Sequence, residues 1–137
     1  MRILSIDPGD KRIGVAVSDS GGRLARPLTV LEHTSRERDV QAVAALAASH
    51  QAEVILVGYP GEAGEPPGPQ ARKVLRFVEA LRRNTHATIQ LWDESLTTAE
   101  AQGFRTKASR GEALDAVAAA VLLQSFLDAT SRTASDE

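Results

Sequence analysis

The chain lacks cysteine altogether and has few aromatic residues. Without thiols it can form neither disulfides nor a cysteine zinc site, and it has no thiolate nucleophile. Its three histidines, His33, His50 and His86, lie far apart and contain no pair at the spacing of helical metal ligands. One tryptophan and one tyrosine offer little surface for stacking single-stranded bases. These absences argue against thiol, zinc and base-stacking chemistry.

Long apolar runs and a strong net charge are also absent. The longest apolar run is shorter than the ~18 residues of a membrane-spanning helix, and the N-terminal residues have a strand pattern rather than that of a signal peptide. We therefore expect a cytoplasmic protein with no membrane partner. The formal net charge of −2 argues against nonspecific coating of nucleic acid, because that affinity rises with the number of cationic contacts. A nuclease is not excluded, since an acidic metal site lowers the total charge.

Three acidic residues stand at the ends of predicted elements. Asp7 closes a short apolar strand, Glu94 follows the strand at 88–92, and Asp115 lies in the first turn of an apolar helix. Strand carboxyl ends and the start of a buried helix meet at one edge of an open α/β sheet, the edge where such folds build sites. Carboxylate oxygens with incomplete protein coordination suit Mg²⁺ or Mn²⁺. The pattern predicts an acidic metal site.

Several acidic residues in or beside this predicted site leave an alternative interpretation open. Asp7 precedes Pro-Gly and could merely start a turn. Glu112 could be a fourth ligand, but its spacing from Ser109 also fits a capping box. Asp93 and Glu94 are adjacent, and neighbouring strand residues point to opposite faces. We therefore assign Glu94, not Asp93, to the predicted site.

The order of the elements predicts an α/β protein with a ribonuclease H-like fold. Three antiparallel strands are followed by two parallel strands with helices between them, forming a five-stranded mixed sheet with flanking helices. We expect a single domain over residues 1–128 and a disordered tail over 129–137. The predicted strands are 2–6, 13–18, 28–31, 53–57 and 88–92, and the predicted helices are 37–49, 70–84, 97–104 and a last helix that follows Ser109.

Four segments together resemble the YqgF/RuvX family of pre-16S ribosomal RNA nucleases and Holliday-junction resolvases. The resemblance covers nearly the whole chain, and the segments are specific in combination. They are DPGDKRIGVAVSD (7–19), ILVGYP (55–60), WDESLTTAEA (92–101) and LDAVAAAVLLQSFL (114–127).

The resemblance implies a divalent-metal-dependent nuclease in which Asp7, Glu94 and Asp115 are both the catalytic and the metal-binding residues. The implied cofactor is Mg²⁺ or Mn²⁺, and the favoured reaction is 5′-end processing of pre-16S ribosomal RNA, with ribosomal precursor particles as partners. Resolution of four-way DNA junctions is the alternative, and it requires a dimer to place two active sites. The sequence leaves open whether the protein is a monomer or a homodimer.

The chain departs from the family pattern at Pro8, at Ser95 and in the loop after Tyr59-Pro60, which lacks the family's usual Asn-Met-Asp stretch and is shortened. Pro8 stands where the family has Phe, and Ser95 stands where it has Arg. The missing positive charge at Ser95 leaves room for a non-catalytic RNA-binding or ribosome-assembly module. An actin-like or sugar-kinase-like ATPase also has an Asp-x-Gly turn, but it encloses nucleotide between two such domains, and this chain has the length of one.

Basic residues near the acids are the candidate contacts for nucleic acid. These are Lys11 and Arg12 beside Asp7, and Lys107 and Arg110 before the last helix. Phosphate contacts from such side chains position a strand without reading its sequence. The other basic clusters fit solvated helix faces.

Overall fold

The structure is a computed structural model that describes residues 1–61, 64–94 and 114–135, with side chains as far as residue 131. The sheet is five-stranded and mixed, as predicted, and its strands lie in the order β3-β2-β1-β4-β5. The strands are β1 (Ile3–Pro8), β2 (Arg12–Ser18), β3 (Ala25–Glu32), β4 (Val54–Tyr59) and β5 (Thr88–Asp93), and the described helices are α1 (Arg36–Ser49), α2 (Pro69–Arg82) and α3 (Leu114–Ser135).

Strand β1 lies at the centre of the sheet and sets its two faces. It pairs antiparallel with β2 and parallel with β4. Leu4 and Ile6 join the core under α1 and α2, whereas Ile3 joins the core under α3. The buried Ser5 hydroxyl donates a 3.1 Å hydrogen bond to the Ala119 carbonyl of α3. Because side chains alternate along a strand, Asp7 continues the row of Ile3 and Ser5 toward α3.

Helix α3 is apolar because it is buried against the sheet. It packs on β2, β3 and β1, and Ala119, Ala120 and Leu123 are fully buried there. Its segment 114–131 is long and apolar enough by composition to cross a membrane, yet half of that window is buried. A core helix of this kind has the same composition as a membrane span. The packing on the sheet accounts for the apolar run.

Several elements are longer than predicted. Strand β3 spans Ala25–Glu32 rather than 28–31, because it pairs with β2 along its length, and as an edge strand it accommodates Pro27. The predicted disordered tail begins at residue 129, whereas α3 continues to Ser135. In that last part of the helix the Thr130 hydroxyl donates to the Phe126 and Leu127 carbonyls. The predicted helix at 97–104 lies outside the described residues.

Helix α1 has a side-chain N-cap at Ser35. Ser35 precedes the helix in an extended conformation, and its side chain accepts a hydrogen bond from the Arg38 N–H. Helix α2 begins at Pro69, whose missing N–H costs nothing in a first turn. Both helices pack on the face of the sheet opposite α3, where Val40 of α1 and Val74 of α2 belong to one core.

Candidate active site

Asp7 and Glu94 meet above a glycine at the carboxyl edge of the sheet. Strand β4, which lies between β1 and β5, carries Gly58 near its end. A methyl group placed on Gly58 would lie 3.5 Å from Asp7 Oδ1, 3.2 Å from Glu94 Oε1 and 3.2 Å from a Leu122 methyl of α3. The absent side chain therefore leaves the room that the two carboxyl groups occupy.

The pKa of Glu94 is strongly perturbed at this position. Its pKa is raised from 4.5 to about 7. Partial burial of the carboxyl group is the largest cause, although part of the side chain reaches solvent. Repulsion from the Asp7 carboxylate comes next, followed by the hydrogen bond that protonated Glu94 donates to Asp7, and then repulsion from Asp93. Two carboxyl groups in contact hold a proton between them unless a cation takes its place.

A second glycine brings Asp115 to the strand beside Asp7. Gly14 of β2 pairs with Asp7 of β1. A methyl group on Gly14 would lie 1.7 Å from the Asp115 carbonyl oxygen and 3.0 Å from the Ala116 nitrogen. The start of α3 therefore rests directly on the strand backbone, and only glycine permits so close an approach.

The Asp115 carboxylate is bound by Arg12. The Arg12 Nε donates a 2.8 Å hydrogen bond to Asp115 Oδ2, and both side chains are about half exposed. Within residues 1–61, 64–94 and 114–131, no three acidic or histidine side chains are close enough together to form a metal cluster. The structure thus joins Asp7 with Glu94 and keeps the Asp115 carboxylate in a separate ion pair one strand away.

The structure describes two of the four basic residues that the sequence predicts as nucleic-acid contacts. Lys11 is exposed in the turn before β2, and Arg12 binds Asp115. Lys107 and Arg110 lie outside the described residues, as do Glu112, Ser109 and Ser95. The sequence interpretation missed Gly14 and Gly58, although a glycine inside a strand pattern signals close approach by another group.

Residues 1–129 match the family RuvX, described as "Holliday junction resolvase". The chain belongs to the RuvX family. A RuvX relative from Thermoanaerobacter pseudethanolicus, named "Putative pre-16S rRNA nuclease", is 40% identical over 134 residues, covering 93% of this chain and 96% of that protein. A relative of the same name from Anaeromyxobacter is 41% identical over 134 residues, covering 93% and 97%. The resemblance inferred from the four motifs is confirmed.

Solved structures support the fold of this RuvX chain. The RuvC structure of Thermus thermophilus has a TM-score of 0.63 at 19% identity and covers 97% of this chain and 98% of its own. The fowlpox virus Holliday junction resolvase has a TM-score of 0.59 at 18% identity, covering 94% and 99%. The ribonuclease H-like fold predicted from the order of strands is confirmed.

Proposed function

We propose that this chain is a divalent-metal-dependent nuclease that hydrolyses phosphodiester bonds, with Asp7, Glu94 and Asp115 as its catalytic acids. The observation that carries the proposal is the convergence of Asp7 and Glu94 over Gly58 in a RuvX family member. The family supports nucleic acid as the substrate. The carboxylate pair supplies ligands for a metal ion, since oxygen ligands at the carboxyl edge of a sheet suit Mg²⁺ or Mn²⁺.

The donor set fits such a cation. Asp7 and Glu94 present adjacent oxygens, and the pKa of Glu94 is raised by partial burial and by repulsion from the Asp7 carboxylate. When bound, the cation lowers the pKa of water and neutralises the charge that develops on the phosphate. Asp7 and Glu94 would hold it, and Asp115 would join them by exchanging Arg12 for the cation. The released Arg12 would then contact a substrate phosphate.

RNA is the favoured substrate, specifically the 5′ end of pre-16S ribosomal RNA in ribosomal precursor particles. The names of the relatives at 40% and 41% identity support this choice. The protein would act in the cytoplasm. A second candidate is resolution of four-way DNA junctions, which the description of the RuvX family favours. Resolution requires two active sites and therefore a homodimer, whereas RNA trimming needs only a monomer.

Asp7→Asn tests the proposal. Purified wild-type protein and the variant are incubated with a ribosomal-leader RNA, an unrelated single-stranded RNA and a four-way DNA junction, in Mg²⁺, Mn²⁺ or chelator. We expect metal-dependent cleavage that falls by at least about a hundredfold in Asp7→Asn, because loss of even an outer-shell partner of a metal ligand typically costs about 10- to 100-fold and Asp7 is itself a proposed ligand. The preferred substrate decides between RNA processing and junction resolution.

A matched control is Glu79→Gln, which removes an exposed carboxylate of α2, on the face of the sheet opposite the acids. This variant should cleave like wild type. Binding of RNA without cleavage in any metal, unchanged by Asp7→Asn, would reject the nuclease and favour a non-catalytic RNA-binding module.

A further inference from the structure

A cavity of about 290 Å³ opens on the sheet face opposite the acidic site. Its floor is apolar and is formed by Ile13, Val74 and Phe77, and its walls carry His33 and Arg36. Pockets that bind small molecules combine such apolar floors with a few polar groups. The cavity is large enough for one nucleotide but not for a duplex.

A buried carboxylate orients the histidine in this cavity. His33 Nδ1 donates a 2.5 Å hydrogen bond to Asp39 Oδ2, and the Thr34 N–H donates a 3.1 Å bond to Asp39 Oδ1. The Asp39 side chain is 6% exposed and that of His33 is 43% exposed. Since a carboxylate only accepts, Nδ1 carries the hydrogen, and Nε2 is left for a ligand. Burying Asp39 is costly unless it is paired, so the pair holds the ring in place.

The wall carries positive charge suited to a phosphate. Arg36 has no acidic side chain within 4.0 Å among the described residues. Lys73 bonds Asp10 at 2.9 Å, but these side chains are 54% and 67% exposed. An ion pair this exposed contributes little, so Lys73 can exchange Asp10 for a phosphate oxygen. Arg36 and Lys73 therefore place two basic side chains beside His33 at the rim of an apolar floor.

The turn after β1 links the cavity to the acidic site. Asp7 points to the α3 side of the sheet, whereas Pro8, Gly9 and Asp10 line the cavity on the other side. A strand whose scissile phosphate lies at Asp7 therefore has the cavity within reach across this turn. A flanking nucleotide could enter it while the phosphate stays at the acids.

We propose that the cavity binds one nucleoside monophosphate unit, with its base on the floor of Ile13, Val74 and Phe77 and its phosphate at Arg36 and Lys73, beside the His33 ring. The unit belongs to the substrate strand, next to the bond that is cleaved. The identification of this unit as part of the substrate strand rests on the proposed nuclease function. The binding itself depends only on the cavity.

Histidine NMR tests the binding directly, because the chain has only three histidines. The ring signals of His33, His50 and His86 are followed in chelator, so that no cleavage occurs, and the His33 signal is assigned with His33→Gln. The probes are adenosine and uridine 5′-monophosphate, inorganic phosphate and a single-stranded RNA hexamer. We expect saturable shifts of His33 with the hexamer and, at higher concentration, with the mononucleotides, while His50 and His86 stay unchanged.

Other responses of His33 contradict the proposal. No shift with any nucleotide overturns the site, and equal shifts with inorganic phosphate overturn the role of the apolar floor. If the mononucleotides bind more tightly than the hexamer, the ligand of the cavity is a free nucleotide and not a unit of the substrate strand. Because cleavage is assayed separately, metal-dependent cleavage without a His33 response rejects the cavity alone. A His33 response without any cleavage rejects the nuclease alone.

A matched pair of arginine variants adds a measurement of affinity. Arg36→Ala removes a charge from the cavity wall, whereas Arg38→Ala removes the same charge from an exposed position of α1 that does not line the cavity. We expect hexamer affinity to fall about tenfold in Arg36→Ala, the loss of one charge-assisted contact, and to change less than about twofold in Arg38→Ala. Equal losses in the two variants overturn the site, because they indicate general attraction to phosphate.

Discussion

Glu94 and Asp7 show how one contact between two side chains sets the chemistry of a site. Separately, each carboxyl group would ionise well below neutral pH. In the folded protein, partial burial and then the ionised Asp7 raise the pKa of Glu94 to about 7. At neutral pH the site therefore binds either a proton or a cation. Proton and metal compete for the same oxygens, and metal binding should release protons.

The stability of the metal-free protein should reflect this competition. The raised pKa stabilises the folded state fully below pH 4.5, and this contribution is lost as the pH rises through about 7. In chelator we expect the free energy of unfolding to fall across this range more steeply for wild type than for Glu94→Gln. Urea titrations followed by Trp92 fluorescence measure both slopes. Identical slopes would contradict the prediction, and Glu79→Gln on the exposed side of α2 is the control.

Gly58 gives a second prediction for a single residue. In Gly58→Ala the added methyl group lies 3.2 Å from Glu94 Oε1 and from a Leu122 methyl, so the flexible Glu94 side chain must move. We expect cleavage to fall about ten- to a hundredfold, since small displacements in a site have effects of this size. Thermal unfolding should change little. A fully active Gly58→Ala protein would show that Glu94 need not occupy this position.

At the scale of elements, the contact of α3 with β2 positions Asp115. The helix starts on the bare backbone of Gly14, and Gly14 is the partner of Asp7 in the sheet. Main chain meets main chain here, so no side chain can rotate away to relieve a clash. Asp115 at the start of a helix is also favoured by the positive end of the helix dipole.

Gly14→Ala should therefore destabilise the protein strongly. The methyl group would fall 1.7 Å from the Asp115 carbonyl oxygen and push the helix off the strand. We expect a loss of about 3 kcal/mol or more in the free energy of unfolding, measured by urea denaturation. Gly21→Ala is the control, because a methyl group there meets nothing within 4 Å. Equal stability of the two variants would refute the close contact.

Across the whole molecule, one sheet joins two hydrophobic cores. The core under α1 and α2 contains Leu81, and the core under α3 contains Leu123, both fully buried. Each core uses alternate residues of the same strands, so neither survives without the sheet. The two faces should therefore unfold together.

Leu81→Ala and Leu123→Ala test this cooperativity. Each should lower the free energy of unfolding by about 2–5 kcal/mol, and in both variants circular dichroism should report the same single transition as the fluorescence of Trp92. Trp92 packs edge-on against Phe126 of α3 with ring centroids 5.1 Å apart, so its fluorescence reports on one face. Separate transitions in Leu81→Ala would indicate two independent cores.

The class of fold and the candidate acids could be read from local patterns. Strand alternation and helical periodicity act over a few neighbouring residues, and the order of elements then restricts the topology. That reasoning placed Asp7, Glu94 and Asp115 at one edge of the sheet. Their catalytic role stays a prediction, as do the single domain over residues 1–128 and the basic contacts of Lys107 and Arg110.

Contacts between distant residues could not be read in this way. Arg12 and Asp115 are 103 positions apart, and no local periodicity relates them. Nor did the sequence show that His33 and Asp39 would share a cavity with Lys73 of another helix. Such contacts form only when helices pack on the sheet, because close packing selects which side chains meet. The residues therefore specified the kinds of element and the acids at their ends, and packing chose which acid pairs with a second acid and which pairs with an arginine.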